Sequence, residues 1–200
     1  MTDATAKAEE HFDARYYSKW YGEDLATRQY IADKAARFVL SYVEYMDTSI
    51  VTVLDVGCGL GLWKKALLKL DGRIRYTGVE LSTHLCRKLG WERGDVRTYA
   101  PRRPFDLVIC QAVLQYLPDE ECERAIRNLG RMSRRFLYLE VLTAADAKEI
   151  CAPEGTDFDV HTREAAWYAR RIAKHFVNLG GGLYAKRSMR QHYFELWTRG

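Results

Sequence analysis

The chain has 200 residues, 48% hydrophobic and 29% charged, with a formal net charge of +4. That is ordinary globular composition, long enough for one domain with a sizeable core. Five cysteines, an odd count with no CxxC pair, exclude a zinc knuckle or a disulfide scaffold. No apolar run approaches the ~18 residues of a membrane span. The polar opening "MTDATAKAEEHFDARYY" has no apolar h-region, so the expected compartment is the cytoplasm.

Residues 9–21 are rich in aromatics and read as a helix. Residues 26–46 predict a longer one, because Ile31, Ala35, Phe38, Val39, Tyr42, Val43 and Met46 recur at spacings of three and four. Residues 50–56 are a β-branched run, read as a buried strand. Residues 62–70 follow as a helix with Leu62, Trp63, Ala66, Leu67 and Leu70 on one side. "RIRYTGVE" is a second strand, and Ser82 caps a helix running to Leu89. "GDV" closes a weakly marked third strand–helix step.

"FDLVICQAVLQYL" begins as a near-continuous apolar strand. Asp119 then caps a helix with Cys122, Ala125, Ile126, Leu129 and Met132 on one face. "RFLYLEVL" is the next strand. Residues 143–160 show no period and are expected as a long loop, and residues 161–175 as a helix. The last two strands are expected in "FVNLGGGLYAK" and "HYFELW", with the three glycines turning or bulging between flanking segments. Strands alternating with helices predict an α/β sandwich on a largely parallel sheet.

Chemistry concentrates in "VTVLDVGCGLGLW", residues 51–63. It ends a strand and opens a helix, the place where open parallel sheets bind ligands. Gly57 permits a tight turn, and Gly59 and Gly61 are expected to let ligand atoms approach the main chain. The helix start presents free N–H groups. A dinucleotide site is the rival, but its fingerprint is GxGxxG, and here the glycines fall at 57, 59 and 61 with Leu62 following. Asp55 just before the loop is a poor neighbour for pyrophosphate and suits a cationic amine.

At these residues the chain resembles the class I S-adenosylmethionine-dependent methyltransferases. "LDVGCGLG" is similar to that family's first motif, "GVELS" to its second, "GDV" to its third, "FDLVICQAVLQYLPD" to its fourth, and "FLYLEVL" to its fifth strand. The resemblance implies a three-layer Rossmann-like sandwich, with a mostly parallel seven-stranded sheet and an antiparallel strand near the C-terminus. It implies one domain, 1–200, in which 1–46 is a helical lid or cap. The cofactor implied is S-adenosylmethionine, leaving as S-adenosylhomocysteine. Asp55 and the backbone of Gly57, Cys58, Gly59 and Gly61 would hold its methionine end, with help from the carbonyl of Gln111. Glu80 would accept both ribose hydroxyls, with Leu81 beside it. Asp95 would accept from the adenine amino group, and the N–H of Val96 would meet the ring. Tyr17, in the aromatic N-terminal segment, would help cover the cofactor.

The reaction implied is in-line methyl transfer to a nucleophile, which needs a base only if the acceptor must lose a proton. Candidate catalytic residues are Tyr16, Gln115, Tyr116 and Glu140, with Thr143 nearby and His161, Trp167 and Tyr168 closing the other side. The place after the fourth strand reads "CQAVLQY", not the [DNS]PP[YFW] run of enzymes that methylate nucleobase amines. Basic clusters at 102–103, 131–135 and 186–190 are scattered among acids, so nucleic acid and membrane are not expected partners. No acidic cluster suggests a metal. The expected acceptor is a small molecule with an O or N nucleophile, ahead of a protein side chain and of RNA. A catalytically silent S-adenosylmethionine-binding module shares the same motifs. The oligomeric state, monomer or homodimer, is left open.

Overall fold

The computed structural model describes residues 11–21, 24–152 and 154–189. Helices α1 (Ala14–Tyr21) and α2 (Leu25–Tyr45) precede β1 (Thr52–Val56) and α3 (Leu62–Leu70). Then come β2 (Arg75–Glu80), α4 (Thr83–Leu89) and a two-residue β3 (Glu92–Arg93). β4 (Phe105–Gln111) leads through a 3-10 turn, Leu114–Tyr116, into α5 (Asp119–Met132). β5 (Ser133–Glu140), α6 (Ala144–Glu149), α7 (Ala165–Ile172), β6 (Phe176–Gly180) and β7 (Leu183–Lys186) complete the described chain.

The sheet has seven strands in the order β3-β2-β1-β4-β5-β7-β6. β3, β2, β1, β4 and β5 pair in parallel, and β7 runs antiparallel between β5 and β6. This is the three-layer Rossmann-like sandwich that the motifs imply. Both faces of the sheet are covered, which is why its central strands read as unbroken apolar runs. Successive residues still alternate between two cores. Val53, Leu107, Ile109 and Phe136 face α2 and α3, against Ala36, Val39, Trp63 and Leu67. Leu54, Val108, Cys110 and Leu137 face α5 and α7, against Ile126, Leu129, Tyr168 and Ile172. Strand order reverses between β1 and β4, so their carboxyl ends diverge and leave a crevice.

Four expectations are corrected. Both last strands lie within "FVNLGGGLYAK", because Gly180, Gly181 and Gly182 all take positive φ and close a hairpin there. "HYFELW" lies outside the described residues. The stretch after β5 contains α6, whose start is a capping box: Thr143 Oγ1 accepts from the Asp146 N–H, and the Asp146 carboxylate accepts from the Thr143 N–H. α7 begins only at Ala165, because Arg163 just before it is buried and spent on tertiary contacts. Its guanidinium donates to Asp119, Tyr168 and the carbonyls of His161 and Leu117. Asp119 is thus the first residue of α5, with Pro118 as the cap.

Candidate active site

The glycine loop is built from below. At its centre the Gly59 N–H donates to Glu80 Oε2 at 2.8 Å, while Leu81 and Ser82 N–H groups donate to Glu80 Oε1 at 2.8 and 3.0 Å. Burial pushes the Glu80 carboxyl up, and these three N–H groups pull it down. Trp91 supports the loop from the side, its Nε1 donating to Gly59 O at 2.8 Å. A Cβ at Gly61 would stand 2.7 Å from the Trp91 ring, whereas a Cβ at Gly59 would meet nothing within 4 Å. The close approach of a ligand expected at both glycines is therefore open at Gly59 alone. Gly61 is required by the packing of Trp91 and by its left-handed φ of 73°.

A cavity of about 200 Å³ opens beyond Gly57 and Gly59, walled by Leu81, Asp95, Val96 and Tyr17. Asp95 lies in this wall, but both its oxygens already hold the Arg97 guanidinium, which also reaches Glu121. A second cavity, about 230 Å³, lies against Asp55, Cys58, Trp63, Gln111 and Arg28. Asp55 is 2% exposed. The Tyr76 hydroxyl donates to it at 2.5 Å. Burial pushes its carboxyl up to about 7, against the pull of Tyr76.

The third cavity, about 420 Å³, brings together Tyr16, Gln115, Tyr116 and Glu140. Ala112 borders all three cavities, in a left-handed conformation with φ 55° that a residue with a Cβ takes only under constraint. Its N–H is held by Glu140 O at 2.9 Å. Beside it runs a chain of hydrogen bonds. Trp63 Nε1 donates to Gln111 Oε1 at 2.7 Å, Gln111 Nε2 donates to Glu140 Oε1 at 3.1 Å, and the Tyr138 hydroxyl donates to Glu140 Oε2 at 3.1 Å. Burial pushes the phenols of Tyr16 and Tyr116 well above their ordinary range, so they serve as hydroxyl groups and not as bases.

Residues 11–21 lie across these cavities. Ser82 Oγ donates to Phe12 O at 2.6 Å, and the Tyr16 and Tyr116 hydroxyls meet at 2.7 Å. Tyr116 OH donates onward to Asp157 at 3.2 Å, and His11 stands 3.4 Å from the same carboxylate. No residue of α1 is buried, whereas α2 buries Ala32, Ala36, Val39 and Val43 in the core.

Of the sequence-derived candidates, the four catalytic ones share one cavity. Gly57, Gly59, Leu81, Asp95, Val96, Gln111, Tyr17, Cys58 and Asp55 line the other two. Gly61 and Glu80 line none, for the reasons above. Tyr168 is buried in the core, and Trp167 is stacked between Arg163 and Arg171. His161 donates its N–H to Gln115 O, and Thr143 caps α6, so none of these four forms the cavity wall. Sequence reasoning passed over Trp91, Arg28, Ala112 and Asp157. Only the αL glycine before Trp91 marked it, and nothing local marked the others.

A family profile described as "Methyltransferase domain" matches residues 53–135, from β1 to the start of β5. The chain is 36% identical over 93 residues to a trans-aconitate 2-methyltransferase of Azoarcus sp., a match covering 43% of this chain and 36% of that protein. It is 29% identical over 160 residues to a ubiquinone biosynthesis O-methyltransferase of Xylella fastidiosa, covering 66% and 64% of the two chains. Among solved structures, magnesium protoporphyrin IX methyltransferase from Synechocystis with bound S-adenosylmethionine superposes with a TM-score of 0.61 at 17% identity, over 93% of this chain and 95% of that one. Fold, motif order and profile agree with the resemblance to the class I S-adenosylmethionine-dependent methyltransferases, and residues 53–135 carry the match to the methyltransferase domain. It spans about a third and about two thirds of the lengths of the two curated relatives.

Proposed function

We propose that the protein binds S-adenosylmethionine in the glycine-loop crevice and transfers its methyl group to a small-molecule nucleophile held in the 420 Å³ cavity. The observation that carries this is the meeting of three cavities at Ala112. A silent binding module would need the third cavity plugged by side chains, and it is open between Tyr16, Gln115 and Glu140.

The residues present fit the cofactor. Gly59 leaves a space that a Cβ would fill. The buried Arg28 Nε has no hydrogen-bond partner among the described residues and borders the Asp55 cavity, so it suits the methionine carboxylate. Asp55 and the Gln111 carbonyl would take the amine, Val96 the adenine ring, and Leu81 the ribose. Glu80 would reach the ribose through what its three N–H partners leave free. When bound, S-adenosylmethionine supplies an electrophilic methyl carbon whose leaving group is a neutral thioether. The protein's part is to hold both partners in line, worth ~7–11 kcal/mol of barrier in well-oriented systems. Glu140, fixed by Gln111 and Tyr138, is placed to take a proton from the acceptor. Residues 11–21 act as the lid: they are anchored at Phe12 and Tyr16 and exclude water when closed. The test is production of S-adenosylhomocysteine from S-adenosylmethionine against a metabolite panel, with loss of product on removing residues 1–21.

A further inference from the structure

The 420 Å³ cavity has a charge imbalance. Three carboxyl groups line it, those of Glu140, Asp146 and Asp157, against one guanidinium, that of Arg28. None of the three is paired with a lysine or arginine among the described residues. Glu140 is held by the neutral donors Gln111 and Tyr138. One oxygen of Asp146 closes the capping box of α6. Asp157 takes the Tyr116 hydroxyl, the Asp159 N–H and His11. Arg28 stands at the border with the Asp55 cavity, its guanidinium 4.6 Å from the Tyr21 ring, on the cofactor's side.

Four rings also line it, Tyr16, Trp20, Tyr21 and Tyr116, beside the aliphatic Val141, Leu142 and Ile150. Lys19 lies over Trp20 and Arg28 over Tyr21, which leaves Tyr16 and Tyr116 for a ligand. Ring faces and carboxylates together attract a cation and repel an anion in a cleft of reduced dielectric. Gln115 adds an independent sign. Its side chain is 6% exposed in this wall, and its Oε1 has no hydrogen-bond partner among the described residues. Such an amide is costly to bury unless something pairs with it. An N–H donor meets that need.

We infer that the methyl acceptor is an amine, recognised as an ammonium by Asp157 and Glu140 within the aromatic wall. This rests on the methyl-transfer reading above. In the step itself the ammonium gives one proton to Glu140. The freed nitrogen lone pair then forms the N–C bond to the methyl, while the C–S electron pair leaves with sulfur. The product nitrogen carries the positive charge and one more methyl, and the sulfur becomes neutral.

The experiment uses the full chain saturated with S-adenosylhomocysteine, whose own heat of binding tests the cofactor reading separately. Benzyltrimethylammonium and benzoate are then titrated and followed by saturation-transfer NMR. The cation is expected to bind at least tenfold more tightly than benzoate. Asp157→Asn is expected to weaken the cation about tenfold without weakening S-adenosylhomocysteine, and Glu140→Gln serves if the first variant fails to fold. Turnover is expected with benzylamine or other primary amines and not with the matching benzoate or phenol. Tighter binding of benzoate, abolished by Arg28→Gln, would overturn the inference in favour of a carboxylate acceptor. So would failure of the cation to bind a protein that does bind S-adenosylhomocysteine.

Discussion

Gln111 and Glu140 are register partners at the carboxyl ends of β4 and β5, and the Gln111 amide donates to the Glu140 carboxylate at 3.1 Å. The parallel pairing of two strands thus fixes a carboxylate that lines both the 230 Å³ and the 420 Å³ cavities. In Glu140→Gln the neighbours are kept and the proposed base is lost. Turnover should fall about 10²–10⁴-fold, with kcat carrying the loss and S-adenosylhomocysteine affinity little changed. A variant that retains turnover, measured by product formation, makes Glu140 a mere spacer.

Glu80 has a structural task besides its expected ligand role. Removing its carboxylate in Glu80→Ala leaves the N–H groups of Gly59, Leu81 and Ser82 without their acceptor. A buried donor left unpaired costs about 1–3 kcal/mol. At ~2–4 °C per kcal/mol for a chain of this size, the ligand-free variant should melt several degrees lower. The three contacts thus tie the stability of the ligand-free chain to Glu80. A thermal melt of the ligand-free protein decides it.

Asp55 titrates in the folded protein at about 7 instead of its ordinary 3.8, through burial. Between those values the folded chain binds more protons than the unfolded one, so the stability tied to this group is full at low pH and is lost as pH rises toward 7. Asp55→Asn removes the titration. Relative to the parent, the variant should therefore gain stability as pH goes from about 5 to about 8, read from denaturant midpoints. A constant difference across that range contradicts the raised value.

Trp91→Phe loses the Nε1 bond to Gly59 O and, because a phenyl ring is shorter than an indole, the outer ring atoms that stand beside Gly61 and Gly78. One neutral hydrogen bond contributes about 0.5–1.5 kcal/mol. The loop should loosen by at least that amount, the space left by the outer ring adding to it, and S-adenosylhomocysteine affinity should drop by about 2- to 12-fold or more. Calorimetry on the variant measures it.

No residue of α1 is buried, while α2 supplies core side chains. A chain lacking residues 1–21 should therefore melt cooperatively, bind cofactor more weakly and lose turnover. Loss of the cooperative melt shows that the segment belongs to the core, and unchanged turnover shows that it is no lid.

The sheet, its order of motifs and α3 were legible because both faces of the strands are covered. That gives unbroken apolar runs, each followed by a helix with one apolar stripe. The gathering of Gln115, Tyr116 and Glu140 followed from placing each motif at a strand's carboxyl end, while Tyr16 reaches them from α1. What escaped was tertiary. Trp91 supports a loop 32 residues before it, and Arg163 is spent on carbonyls and side chains no local pattern announces. Gly61 looked like a ligand contact because a glycine that receives a ring and one that faces a cavity read alike in a sequence. The short β3 and the Gly180–Gly182 hairpin were blurred for a related reason: two residues carry no period, and three glycines fit a bulge as well as a turn.

The most direct test of the account is calorimetric titration of S-adenosylhomocysteine, and separately of NAD, into the purified chain. The glycine loop with its open Gly59 and the buried Asp55 predicts saturable one-to-one binding of S-adenosylhomocysteine and no heat from NAD. Saturable NAD binding with no heat from S-adenosylhomocysteine would contradict it.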